Sequence, residues 1–235
     1  MAAECKLADP AVSRAKFDRE ISEYRALEAE YRGRGWLLVE AEFPTAVFVL
    51  AAAHIKPAPV VFGVRFDFSD YDLLPLDVTL VDPFTREPYR AKELPTVLPR
   101  LVGAGGVGLR QEAVEAQVAE ALGAQGAGGA GGVPIQMEVG QLMMSHDPEE
   151  VPFICLPGVR AYHDHPAHTG DSWMLHRPRG TGRMSVLLEH LHRFGVQNVT
   201  GYAVQVGLET AGWQPPGPFR IHAQVVGFDL ELRPE

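Results

Sequence analysis

Val60-Val61-Phe62-Gly63-Val64-Arg65-Phe66-Asp67-Phe68 decides the fold. Phe62, Val64, Phe66 and Phe68 alternate with Gly63, Arg65 and Asp67, a period of two that puts the aromatic side chains on one face of a strand. Upstream, Ala46 to Ala53 is a nearly continuous β-prone run. Trp36 to Phe43 precedes it, and Pro44-Thr45 breaks the two apart. Downstream, Ser69 to Pro75 reads as a loop, and Leu76 to Val81 as a fourth strand ending at Asp82-Pro83. Ahead of them all, residues 11–32 predict a helix. Phe17, Ile21, Tyr24, Leu27 and Tyr31 form its apolar stripe, Asp18, Arg19, Glu20, Glu23, Arg25 and Glu28 fall mostly off it, and Gly33 and Gly35 stop it. A helix followed by an antiparallel meander is an α+β fold.

The second half is less regular. Residues 84–100 carry Pro88, Pro95 and Pro99 and read as an irregular connection. Residues 103–132 are rich in glycine, with a short Ala- and Glu-rich helix expected over Leu109 to Leu122. No Gly-Lys-Ser/Thr follows, so a flexible insertion is expected there rather than a phosphate loop. Arg183 to Phe194 reads as a C-terminal helix with Met184, Leu187, Leu188 and Leu191 on one face. Val199 to Leu208 and Phe219 to Leu232 read as an added β-hairpin. Residues 1–235 then form one domain with the insertion at about 103–132.

The chain has 235 residues with 46% hydrophobic, enough for a real core, and a formal net charge of −9, which disfavours nucleic acid and anionic membrane surfaces as partners. No apolar run reaches the ~18 residues of a membrane span. Met1 to Pro10 has no apolar run behind a basic start, and Cys5 and Cys155 lie far apart, so no secretory signal or disulfide framework is expected and the cytoplasm is the expected compartment.

Chemistry concentrates between Cys155 and Trp173. His163, His165, His168 and His176 fall within 14 residues, with Cys155 just upstream. If residues 163–165 are extended, His163 and His165 project to the same side. Pro166 then bends the chain so that His168 folds back, with Gly158 and Gly170 permitting tight turns on either side. Thiolate and imidazole are the donors zinc prefers, so Cys155, His163, His165 and His168 are the candidate metal ligands. Asp164 and His176 are the candidate groups behind them, orienting an imidazole or adding a ligand. With only three ligands a water position stays open for metal-dependent hydrolysis, with Asp171, Ser172 or Asp147 as accessory groups. A solvated polar cluster and a Cys-His nucleophile pair are the alternatives. His190 and His192 read as solvated positions, Met143 and Met144 as core filler, and Trp36, Trp173 and Trp213 as packing residues.

Residues 11–83, with Asp70-Tyr71-Asp72-Leu73-Leu74-Pro75 between two strands, resemble the first half of the ubiquitin-conjugating enzyme fold. Cys155 to Arg177, with His165-Pro166 and Gly170 before the helix at 183–194, resembles a prokaryotic metal-binding family named for its Cys, Glu, His and His residues. That family accompanies ubiquitin-like conjugation operons in bacteria. The resemblance implies a zinc-binding component of such a pathway, antiviral in character. It would work without a thioester and dock a ubiquitin-like protein or its activating enzyme. In conjugating enzymes a His-Pro-Asn stands before the catalytic Cys, whereas here Cys155 comes before His165-Pro166 and Ala167 replaces the Asn. Asp171, Ser172 and Trp173 follow Gly170, where a thioester-forming Cys is looked for. The family Glu has no clear counterpart: Asp164 lies inside the cluster, and Glu149 and Glu150 lie before it. The other expectation is an enzyme, either a ubiquitin-like transferase using Ser172 or Cys155, or a metal-dependent hydrolase.

Overall fold

A computed structural model describes residues 7–103, 137–210 and 219–232. The chain is a mixed α+β protein. Helix α1 spans Pro10–Ala26, and a short α2 spans Glu28–Gly33. The Asp9 carboxylate accepts the Ala11 N–H at 2.9 Å, and Pro10 opens the helix, where a missing N–H costs nothing. The expected single helix over 11–32 is therefore two. Leu27, at φ −115°, breaks it, yet its N–H still reaches the Tyr24 carbonyl and Tyr31 keeps its place against the core.

Strands β1 (Trp36–Glu42), β2 (Thr45–Ala51), β3 (Val60–Asp67) and β4 (Asp77–Val81) form one antiparallel sheet in chain order. The period-two reading of β3 holds at the side chains: Phe62, Val64, Phe66 and Phe68 are all fully buried. Burying each such ring contributes on the order of 2 kcal/mol. Helix α1 lies on that face. Phe17 meets Phe68 edge-on at 5.1 Å, and Tyr24 meets Phe48 edge-on at 5.0 Å.

Residues 84–100 are not wholly irregular. A 3₁₀ turn covers Ala91–Glu93, and Pro99–Gly103 (β5) pairs with Met137–Gln141 (β6). The helix expected over Leu109 to Leu122, and all but the first residue of the expected flexible insertion, lie outside the described residues. Met143–Met144 (β7) pairs with Phe153–Ile154 (β8). Met143 fills the core as expected, while Met144 is exposed.

Three helices follow: α3 (Arg160–Asp164), α4 (Trp173–His176) and α5 (Met184–Gly195). Helix α5 packs Leu187, Leu188 and Leu191 into the core, and Gly195 lies so close to Phe62 that an added Cβ would sit 2.7 Å from the ring. His192 is buried at 6% exposure, with its ring edge-on to Trp36 at 5.6 Å, so it is a core residue rather than a solvated one. Burial pushes its imidazole down to about 4, and the charge of Arg34 adds to this. Val199–Thr210 (β9) and Phe219–Leu230 (β10) form the expected hairpin as a two-stranded ribbon. Among the described residues, no helix is long and apolar enough to cross a membrane.

A carboxylate inside the core ties α1 to α5. Glu20, 3% exposed, is on the buried face of α1, not off the stripe as its charge suggests. Its Oε1 accepts the Tyr71 hydroxyl at 2.8 Å, and its Oε2 accepts the Met184 N–H at 2.6 Å. That N–H is one of the unsatisfied donors at the start of α5, so Glu20 caps a helix from another element. Burial pushes the Glu20 carboxyl up from its ordinary value, against the pull of these two hydrogen bonds and of Arg183 and Arg19.

Candidate functional site

Cys155 directly follows β8, and its N–H donates to the Leu142 carbonyl at 2.8 Å, so the backbone beside the thiol is held to the sheet. From there the chain crosses to β4: the Arg160 N–H donates to the Leu76 carbonyl at 2.9 Å. The Arg160 guanidinium donates to the carbonyls of Pro75 and Ser69. Gly158 is needed for a close approach. A Cβ there would lie 2.4 Å from the Thr181 carbonyl oxygen. Gly170, at φ +101°, does serve a turn that disfavours other residues.

The extended geometry expected for 163–165 does not form. Arg160, Ala161 and Tyr162 start the single turn of α3, which carries His163 in its last turn. Only His165 is extended, at φ −78° and ψ 130°, as a residue before proline should be. The two imidazoles therefore part. His163 turns onto backbone, with Nδ1 2.9 Å from the Asp171 carbonyl oxygen and Nε2 2.7 Å from that of Pro157. His165 stacks between Phe153 at 4.9 Å and His146 at 5.7 Å, and its Nδ1 accepts the Ala167 N–H at 3.2 Å.

His168 does fold back, as the bend at Pro166 leads one to expect. Its Nε2 stands 3.4 Å from Cys155 Sγ. Its ring lies flat on Tyr162, with centroids 3.8 Å apart and planes 20° from parallel. The Tyr162 hydroxyl donates to Asp171 Oδ2 at 2.7 Å, and His176 Nε2 sits 2.6 Å from Asp171 Oδ1. Asp171 and His176 thus fix the ring on which His168 rests. Asp164 is exposed and makes no hydrogen bond among the described residues. Ser172 caps α4, its Oγ accepting the Met174 N–H at 3.3 Å. Glu149 is drawn away onto Arg90 and Lys92.

Burial works against charge on both members of the pair. Burial pushes the Cys155 thiol up, against a smaller downward pull from Arg100. Burial and the neighbouring His165 push the His168 imidazole down. Hydrogen bonds from Tyr162 and His176 hold the Asp171 carboxyl below its ordinary range. A neutral imidazole facing a neutral thiol can take its proton when sulfur attacks, provided His168 carries its own proton on Nδ1. Of the four residues expected on one ion, the structure brings Cys155 and His168 together. Among the described residues, no group of three or more His, Cys, Asp or Glu side chains is arranged to hold a metal.

Two features escaped the spacing argument. Tyr162 is the platform for His168, which no count of histidines can show. His146-Asp147-Pro148 stands before Cys155 in the connection between β7 and β8. His146 stacks on His165 with ring centroids 5.7 Å apart.

Fold and site together define an α+β protein with a half-buried thiol-imidazole pair on the segment leaving its sheet. The chain belongs to the Y4jH family, whose model matches residues 8–199 and so takes in the whole site. It is 38% identical over 232 residues, 99% of this chain and 97% of the relative, to "Uncharacterized protein y4jH" of Sinorhizobium fredii (strain NBRC 101917 / NGR234).

Proposed function

We propose that this protein is a conjugating-enzyme-like component of a bacterial ubiquitin-like conjugation pathway, and that Cys155 receives the modifier with His168 as its proton acceptor. One observation carries the reading: Cys155 Sγ lies 3.4 Å from His168 Nε2. The α1 helix, the four-stranded meander and the thiol on the later segment support it. Ser172 is the weaker nucleophile because its oxygen is engaged as a helix cap.

The reaction is a thioester exchange. Cys155 Sγ attacks the carbonyl carbon of the modifier's thioester on its activating enzyme. The new S–C bond forms, the old C–S bond breaks, and the Cys155 proton passes to His168 Nε2 and on to the departing sulfur.

The second reading is zinc at the same pair. A thiolate and an imidazole on one tetrahedral zinc stand about 3.5 Å apart, close to the separation here. Cys155 and His168 would hold the ion, with His165 the nearest further imidazole at a ring distance of 5.8 Å. His163, with a carbonyl at each nitrogen, does not fit that set without turning.

Incubating the full chain with ATP, an activating enzyme and a ubiquitin-like protein from the same pathway tests the first reading. A band shift is expected that Cys155→Ser abolishes or renders resistant to thiol reductant, and that Ser172→Ala leaves intact. A shift that survives unchanged in Cys155→Ser would overturn it. Stoichiometric zinc in tag-free protein, lost on Cys155→Ser together with thermal stability, would establish the second reading instead.

A further inference from the structure

A cleft of about 480 Å³ opens between α1 and the turn that links α4 to α5, away from Cys155. Lys16 and Arg19 line it from α1, and Arg177, Arg179 and Arg183 from the turn. Three carboxylates neighbour these five cations, Glu20 among them at 3.7 Å from Arg19. Asp72 is shared by Lys16 at 3.1 Å and Arg177 at 3.3 Å. Glu23 is shared by Arg19 at 3.8 Å and by Arg183. Arg179 is exposed and pairs with nothing among the described residues. Arg183 Nε is shut off from solvent with no hydrogen-bond partner there. The five cations thus outnumber their neighbouring carboxylates by two, on a chain whose formal net charge is −9.

The turn is built to hold those guanidinium groups in place. Gly180 takes a left-handed φ of +70°, and the Arg183 N–H closes onto its carbonyl at 3.0 Å. Thr181 Oγ1 donates to the His176 carbonyl at 3.1 Å. Gly182 lets the Trp173 ring in, since a Cβ there would sit 2.6 Å from it. Trp173 Nε1 in turn donates to the Asp72 carbonyl at 3.1 Å, tying the turn to the loop opposite.

We propose that this cleft binds a pyrophosphate group, free or as the tail of a nucleotide. Planar guanidinium forks match phosphate oxygens in pairs, and four of the five cations are arginines. A single phosphate has too few oxygens to occupy four guanidinium groups, whereas two adjacent phosphates can engage all of them. At about 480 Å³ the cleft suits a compact polyanion better than an extended chain.

Titration calorimetry on the full chain at low salt tests this, with inorganic phosphate, pyrophosphate, AMP, ADP and ATP as separate probes. Pyrophosphate, ADP and ATP should bind more tightly than phosphate and AMP. ADP and ATP exceeding pyrophosphate would assign the nucleotide as the source, and equality would assign free pyrophosphate. Arg179→Glu touches no structural partner and should weaken pyrophosphate binding at least about tenfold, the loss of one charge-assisted hydrogen bond. Arg25→Glu makes the same charge change on α1 outside the cleft and should leave binding within about twofold. Absence of pyrophosphate binding up to about 10 mM, or equal losses in the two variants, would overturn the proposal.

Discussion

Glu20→Ala is expected to lower the unfolding free energy by about 3 kcal/mol, since a buried polar group left without its partner costs about 1–3 kcal/mol and this change orphans two. The groups left behind are the Tyr71 hydroxyl and the Met184 N–H. Arg19 and Arg183 would also lose a nearby counter-charge. For a chain of this size the loss reads as a melting temperature lower by roughly 6 to 12 °C, measurable by calorimetry. Glu20→Gln should cost less, because the amide oxygen still accepts one of the two donors and its NH₂ can face the Tyr71 oxygen.

The pH dependence of that pair has a definite sign. The folded carboxyl holds its proton to higher pH than the unfolded one, whose ordinary value is 4.5. Between those two values the folded state binds more protons, so this group's contribution to stability falls as pH rises through the window. Wild type should therefore gain stability relative to Glu20→Gln as pH is lowered from 7 into the window. A stability difference flat across it would show that the carboxyl is not held in the core.

His168→Gln is expected to slow transfer to Cys155 by about 100-fold at neutral pH, the usual size of a lost general base. The thiol stays in place, so the loss should appear in the transfer rate rather than in the amount of protein folded. Burial pushes the Cys155 thiol up, so hydroxide replaces the imidazole only in alkaline solution. The deficit of the variant should shrink as pH rises. In wild type the His168 imidazole is pushed down, so it stays unprotonated, and transfer stays fast, below the ordinary imidazole value of 6.5. Arg100, His163, His165 and Asp171 are the charged or titrating groups acting on the pair. A stopped-flow or quenched-gel rate profile against pH checks both limbs.

The meander was legible because its alternation is honest: Phe62, Val64, Phe66 and Phe68 point where a period of two sends them. The helices around Leu187 and Phe17 followed from stripes of the right spacing. The site was legible as a neighbourhood and not as a geometry. The 155–176 segment does gather Cys155, His168, Tyr162 and Asp171. One turn of helix at Arg160–Asp164, too short for periodicity to reveal, is enough to send His163 and His165 apart. Glu20 was misplaced for another reason. It stands three residues after Phe17 and four before Tyr24, the spacing of the buried stripe, but a carboxylate is read as solvated unless its partners are known. Those partners, Tyr71 and Met184, are 51 and 164 residues away. His192 was hidden similarly, since only the approach of Trp36 encloses it.

Peptide mapping of the captured adduct shows which side chain of the protein receives the modifier. After incubation with activating enzyme, ATP and modifier, intact mass should show one modifier per chain, on the peptide containing Cys155, released quantitatively by a thiol reductant. A modifier found on Ser172, on a lysine or on Cys5 while Cys155 stays free would rule out Cys155 as the acceptor.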